Sequence, residues 1–179
     1  MAHGVEALIA SEKPLRNGLS GLRRAEVIPL QQGLALVPVT DAFYDQVASQ
    51  IPLAGASRIG ELWKLSPNLV ELARRISVST PVAYVETDYS GGVGTQAAVV
   101  WHHGRISLCP LKIDEGVRLE AGNIKRAFRA LPVKLRQGRP INQAIRDLGV
   151  RTWWLLDEFD AIGLGRYRSN EDWIEAAGD

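Results

Sequence analysis

The chain has 179 residues, with 21 basic and 20 acidic side chains that give a formal charge of +1. Its 46% hydrophobic and 23% charged residues are typical of a globular protein and exclude wholesale disorder. No apolar run approaches the ~18 residues of a membrane span, and a single cysteine, Cys109, excludes an internal disulfide. We therefore expect a cytoplasmic protein with no membrane partner, and the near-neutral charge does not favour nucleic acid. The N-terminus also lacks the basic and apolar regions of a signal peptide.

The first quarter of the chain has the weakest periodicity. Residues 1–25 contain scattered breaks at Pro14, Gly18 and Gly21, which predicts an N-terminal appendage that is partly mobile. Residues 26–179 are then expected to form a single α+β domain. Its first strands are short, over 27–30 and 34–39, and a proline in each favours an edge position.

Helices are predicted on both sides of a central β-rich stretch. Thr40 and Asp41 can cap a helix over 42–49, and Ser66 followed by Pro67 is a typical helix start. Further apolar residues at helical spacing predict helices over 123–131, 140–148 and 153–162, followed by a last turn around Trp173.

The middle of the chain predicts three antiparallel strands in sequence. Residues 82–89, 96–102 and 105–109 are rich in valine, isoleucine and aromatic residues, which favour strands. A glycine-rich loop over 90–95 joins the first two, and His103-Gly104 suits a two-residue turn between the last two. The predicted fold class is thus α+β, with an antiparallel meander sheet and helices packed on one face.

A polar patch is expected where this sheet meets the glycine-rich loop. Pairing Tyr89 with Thr95 sets Asp88 opposite Gln96 and puts Glu86, Asp88 and Gln96 on one face. Two carboxylates two residues apart on a strand lie about 7 Å apart, a spacing that suits a general acid and base or a hard cation. The simpler interpretation is an ordinary solvent-exposed strand face. In the functional interpretation, these side chains act beside the close-approach backbone of Gly91, Gly92 and Gly94.

Other motifs give no complete chemical site. Residues 92–97 match the G-x-G-x-x-A dinucleotide fingerprint, but a strand follows where that fingerprint needs a helix. No P-loop lysine follows these glycines, and His102, His103 and Cys109 lack the spacing of a tetrahedral zinc site. We therefore expect no cofactor and no metal.

Two charged segments are candidate binding surfaces. The segment 157–173 is dense in acids and aromatics, and its Arg166 and Arg168 form either a binding site or a corner that neutralises the preceding acids. Residues 121–146 carry seven basic and no acidic side chains, which is typical of a solvated basic face or of a dock for an acidic protein.

Two segments together carry a resemblance to known sequences. The run YVETDYSGGVGTQAAVVW and the run DEFDAIGLGRYRSNEDW resemble a group of uncharacterised bacterial proteins, over about residues 34–173. This resemblance implies no activity. By size and style, small bacterial α+β proteins of this kind include toxin-neutralising immunity proteins.

The functional expectation rests on the absence of a complete catalytic constellation. We expect a small cytoplasmic bacterial protein-binding domain, of immunity type or regulatory, with a protein partner such as a toxin. The alternative is a small hydrolase or ligand-binding enzyme that uses Glu86 and Asp88 as acid and base while Gln96 orients the substrate. Whether the chain is an enzyme, and its oligomeric state, stay open at this point.

Overall fold

A computed structural model describes residues 3–53, 59, 62–90, 93–115, 139–152 and 157–178. Its centre is one six-stranded sheet in the order β2-β3-β1-β4-β5-β6, and each pair of neighbouring strands is antiparallel. The strands are β1 His3–Ser11, β2 Ile28–Pro29, β3 Leu34–Pro38, β4 Val82–Ser90, β5 Val93–His102 and β6 Arg105–Glu115. The predicted meander is confirmed as β4, β5 and β6.

The expected N-terminal appendage is wrong. Residues 3–11 form β1, which hydrogen-bonds to β3 on one side and to β4 on the other. The side chains from Ala7 to Ala10 are fully buried. The start of the chain is therefore central to the sheet, and β3 is an inner strand rather than an edge.

Local capping explains where several helices begin. The Thr40 hydroxyl accepts a hydrogen bond from the Phe43 N–H, and the Ser66 hydroxyl accepts one from the Leu69 N–H. Both caps were expected from the sequence. The helices are α1 Glu12–Gly18, α2 Asp41–Gln50, α3 Pro67–Ile76, α4 Pro140–Asp147, α5 Glu158–Ala161 and α6 Asn170–Gly178, with short 3-10 turns at Gln31–Gly33 and Leu164–Arg166.

Helices cover both faces of the sheet, not one face as expected. On the first face, Tyr84, Val99 and Trp101 pack with residues of α1, α2 and α3. On the second face, Val85 and Val100 pack with residues of α4 and of the segment that ends in α6. The fold class is α+β as predicted, but the sheet is the middle of three layers.

The register of the glycine hairpin differs by one residue from the expected one. Tyr89 pairs with Gly94 rather than with Thr95, and Ser90 pairs with Val93. A Cβ at Gly94 would lie 2.0 Å from the Asp88 carbonyl oxygen, so only glycine permits this close pairing. A slip of one residue moves every side chain of β5 to the opposite face of the sheet.

Several expectations lie outside the described residues. These are the helix over 123–131, most of the basic segment 121–146, and the glycines Gly91 and Gly92. The start of the helix predicted over 153–162 is also outside, while its end is present as α5, with Asp157 as the cap. Among the helices that are described, none is both long enough and apolar enough to cross a membrane.

Candidate functional site

A cleft of about 330 Å³ opens at one end of the first face. It is lined by residues from β1, β4, β5 and the segment before α3, namely Gly4, Glu6, Trp63, Glu86, Thr87, Asp88 and Thr95. We call it the acidic cleft. Glu6 and Glu86 are direct cross-strand partners, and Asp88 lies two residues further along β4 on the same face. The structure thus brings the predicted pair Glu86 and Asp88 together and adds a third carboxylate that the sequence did not indicate.

Glu86 is engaged on both carboxylate oxygens. The backbone N–H of Trp63 donates to Oε1 and Oε2 at 2.9 Å each, and the Tyr84 hydroxyl donates to Oε2 at 2.8 Å. Tyr84 is fully buried, and burial together with the nearby Glu86 charge raises the pKa of its hydroxyl. The carboxylate therefore attaches the Trp63 segment to the sheet.

Glu6 lies in a different environment from Glu86. Its Oε2 accepts a hydrogen bond from Asn170 Nδ2 at 2.9 Å and lies 3.7 Å from Lys64 Nζ. Burial raises the pKa of the Glu6 carboxyl, and the charge of Glu86 acts in the same direction, while Lys64 opposes both. Lys64 is shared, since its Nζ also lies 3.3 Å from Asp41 Oδ1. In the described part of the chain, Lys64 is thus the cation shared by the Glu6 and Asp41 carboxylates.

Trp63 is the most unusual side chain of the cleft. It is 80% exposed, the highest value among the large hydrophobic side chains that the structure describes as exposed. Its neighbours Leu62 and Leu65 are almost fully buried in the first-face core. The backbone is thus fixed by apolar packing and by Glu86, while the indole remains in solvent. Isolated exposed apolar residues are common, but an exposed tryptophan on an anchored backbone is typical of a binding residue.

Gln96 does not share the cleft, and the predicted convergence with Glu86 and Asp88 is wrong. Because of the register, Gln96 lies on the second face and lines a separate cavity of about 220 Å³. Its Nε2 donates to the Tyr89 hydroxyl at 2.8 Å, and its Oε1 accepts from the Ile141 N–H at 3.4 Å. Gln96 therefore links the hairpin to the start of α4.

The predicted binding residues lie in separate parts of the fold. Gly94 is inside β5, where it permits the close strand pairing. Arg166 ends a 3-10 turn, and its exposed side chain lies over Gly163. The Arg168 backbone makes two hydrogen bonds. Its carbonyl accepts from the Gly4 N–H at 2.7 Å, and its N–H donates to Asp172 Oδ2 at 3.1 Å. Through the first of these bonds the Arg168 backbone contacts Gly4, which lines the acidic cleft, whereas the Arg166 side chain lies beside Gly163.

Trp63, Glu6 and Asn170 are the site residues that sequence reasoning missed. The one local signal was the Leu62 and Leu65 pair on either side of Trp63, which indicates an anchored segment. Within the described ranges, no group of three or more His, Cys, Asp or Glu side chains is arranged to hold a metal ion. No family model, curated protein or solved structure matches the chain.

Proposed function

We propose that the chain is a protein-binding domain that docks its partner at the acidic cleft, with Trp63 as the central contact. The observation that carries this proposal is the exposed indole on a backbone fixed by Glu86. Tryptophan is enriched among the residues that contribute most to binding energy at interfaces. A contact residue that is already held in place loses less conformational entropy on binding.

The charge of the cleft indicates the chemistry of the partner. Glu6, Glu86 and Asp88 line it, and the described lining residues include no lysine or arginine. An arginine or lysine of the partner can stack on the Trp63 ring and approach these carboxylates at the same time. The proposed partner therefore presents a basic side chain, flanked by residues that cover the indole.

We further propose that the chain is a cytoplasmic bacterial protein of immunity type or with a regulatory role, whose partner is a protein such as a toxin. The single Cys109 and the resemblance to small bacterial proteins support this proposal. The acidic cleft adds that the partner's contact surface is basic.

The test is affinity capture from the native host with three forms of the chain. We expect the wild type and the control Val78→Ala to recover the same protein, because Val78 is a 64% exposed side chain that does not line the cleft. Trp63→Ala should lose that protein while unfolding at the same urea concentration. Recovery of the same protein by all three forms, or recovery of none, would contradict the proposal.

A second candidate is a small hydrolase, and the raised pKa of Glu6 favours it. A carboxyl whose pKa is raised by burial is better suited to act as a general acid, and Asp88 in the same cleft can act as the base. Glu86 is less suited to either role, because both of its oxygens accept hydrogen bonds from the protein. In this account, Glu6→Gln and Asp88→Asn each abolish hydrolysis of chromogenic ester or glycoside substrates. Equal hydrolysis by the wild type and both variants would exclude it.

A further inference from the structure

A groove of about 560 Å³ opens between α1, α3 and the end of α2, and we call it the α1–α3 groove. Its apolar lining residues are Pro14, Gly18, Ile51, Leu72 and Ile76. Leu72 and Ile76 are almost fully buried, so they form its base. Small-molecule sites usually have volumes of about 300–1,000 Å³ and mainly apolar walls, and this groove has both properties. The acidic cleft and this groove share none of their described lining residues, so they are separate sites.

The mouth of the α1–α3 groove is basic. Its polar lining residues are all exposed, and the described lining includes no aspartate or glutamate; they are Lys13, Asn17, Arg75 and Ser79. In the described part of the chain, no carboxylate pairs with Lys13, and the neighbouring Glu12 pairs with Arg16 at 2.9 Å. The groove thus combines an apolar base with positive charge at its mouth, which favours an amphipathic anion.

Arg75 is held in place by the buried carboxylate of Glu71. Its Nε donates to Glu71 Oε1 at 2.7 Å, and Arg74 donates to both Glu71 oxygens at 2.8 Å each. Two guanidinium groups thus share one carboxylate, so the positive charge of this cluster exceeds its negative charge. The terminal nitrogens of Arg75 make no hydrogen bond within the part of the chain that the structure describes. A guanidinium that is already oriented loses less conformational entropy when it binds a carboxylate.

We propose that the α1–α3 groove binds an aliphatic carboxylic acid, with its carboxylate between Lys13 and Arg75 and its alkyl chain against Leu72 and Ile76. The lysine ammonium and the terminal nitrogens of Arg75 donate charge-assisted hydrogen bonds to the carboxylate. The chain covers the aliphatic side chains at the base, where each buried methylene adds to the affinity. An engineered apolar cavity of about 150 Å³ takes up benzene, so the larger groove has room for an alkyl chain.

Four probes test the charge and the alkyl chain separately. Octanoate, octanol, octylammonium and acetate are each titrated into the isotope-labelled full chain, and the backbone amide signals of Gly18 and Ile76 and the Nε–H signal of Arg75 are followed by NMR. We expect octanoate to shift these signals with saturation, octanol and acetate each to bind at least about tenfold more weakly, and octylammonium not to bind. Octanol or acetate binding as tightly as octanoate, saturable binding of octylammonium, or no saturable shift with octanoate would each overturn the proposal.

Matched variants test the site itself. Arg75→Gln removes a positive charge from the mouth and should weaken octanoate binding at least about tenfold. The control Arg23→Gln makes the same change at an exposed position outside the described lining and should leave octanoate binding unchanged. Lys13→Gln removes the other cation and breaks no ion pair among the described residues, so it keeps the test valid if Arg75→Gln unfolds. Unaltered octanoate affinity in Lys13→Gln, or an equal loss in Arg23→Gln, would contradict the assignment.

Discussion

Glu86 is predicted to be a structural support of the cleft, and a double-mutant cycle with Tyr84 can measure this role. The two side chains are joined by a 2.8 Å hydrogen bond, and Tyr84 is fully buried. In Glu86→Ala the Tyr84 hydroxyl proton loses its acceptor inside the core. In Tyr84→Phe the donor is absent, and the carboxylate keeps its bonds from the Trp63 N–H.

The magnitude follows from the cost of leaving a buried donor unpaired. That cost is about 1–3 kcal/mol, and loss of the charged bond to the Trp63 N–H adds about 1 kcal/mol. We therefore expect Glu86→Ala to lower the free energy of unfolding by about 2–4 kcal/mol, and Tyr84→Phe by about 1 kcal/mol. The double variant has no unpaired hydroxyl, so it should cost less than the sum, with a coupling of about 1–2 kcal/mol.

Urea unfolding followed by far-UV circular dichroism measures all three free energies. Asp88→Ala is the matched control, since Asp88 lies on the same strand and face but is exposed. Its cost should stay within about 0.5 kcal/mol. If Glu86→Ala costs no more than Asp88→Ala, or if the costs of the Glu86 and Tyr84 substitutions simply add, the proposed support by Glu86 is refuted.

Three other predictions test the fold. Gly94→Ala should lower the unfolding free energy by at least about 2 kcal/mol, since its Cβ would lie 2.0 Å from a carbonyl oxygen of β4, whereas Gly21→Ala, with open space around it, should be near neutral by urea unfolding. Removal of residues 1–11 should abolish the cooperative unfolding transition, because the strand between β3 and β4 is lost; a truncated chain that still unfolds cooperatively would contradict the central place of β1. Hydrogen bonds, chiefly from Arg74, lower the pKa of the buried Glu71 to about 2, so the stability that this carboxylate contributes is complete above pH 4.5 and is lost as the pH falls toward 2. Glu71→Gln should therefore be less stable than the wild type at pH 7, with a difference that shrinks below pH 4.5 in urea unfolding; a difference independent of pH would contradict this reasoning.

Residue types alone predicted the meander and most of the described helix starts, but they missed β1. Strands β4, β5 and β6 are long and rich in β-branched residues, so their pattern is clear without tertiary context. Strand β1 is buried on both faces of the sheet, and its sequence HGVEALIAS lacks the polar and apolar alternation of a half-exposed strand. The same lack of alternation concealed the second layer of helices.

Of the candidate site, the sequence predicted only the part that lies on one strand, β4. The shared face of Glu86 and Asp88 follows from the two-residue repeat of β4, and the structure places both in one cleft. The prediction that Gln96 joins this pair depended on the register of the glycine hairpin. The observed register differs from the expected one by one residue, with Gly94 at the position of closest approach. Glu6 and Trp63 reach the site through contacts with Glu86 that span 80 and 23 positions of the chain, and no local pattern encodes such contacts.

Trp63 is proposed to be the central contact for a basic protein partner. The most direct measurement replaces Trp63 with a photoreactive phenylalanine analogue and, in a second form, replaces Val78 in the same way, before irradiation in the native host. We expect one protein to be crosslinked through position 63 and not through position 78, with the adduct mapped beside an arginine or lysine of that protein. No adduct at position 63, or the same adducts at both positions, would contradict the account.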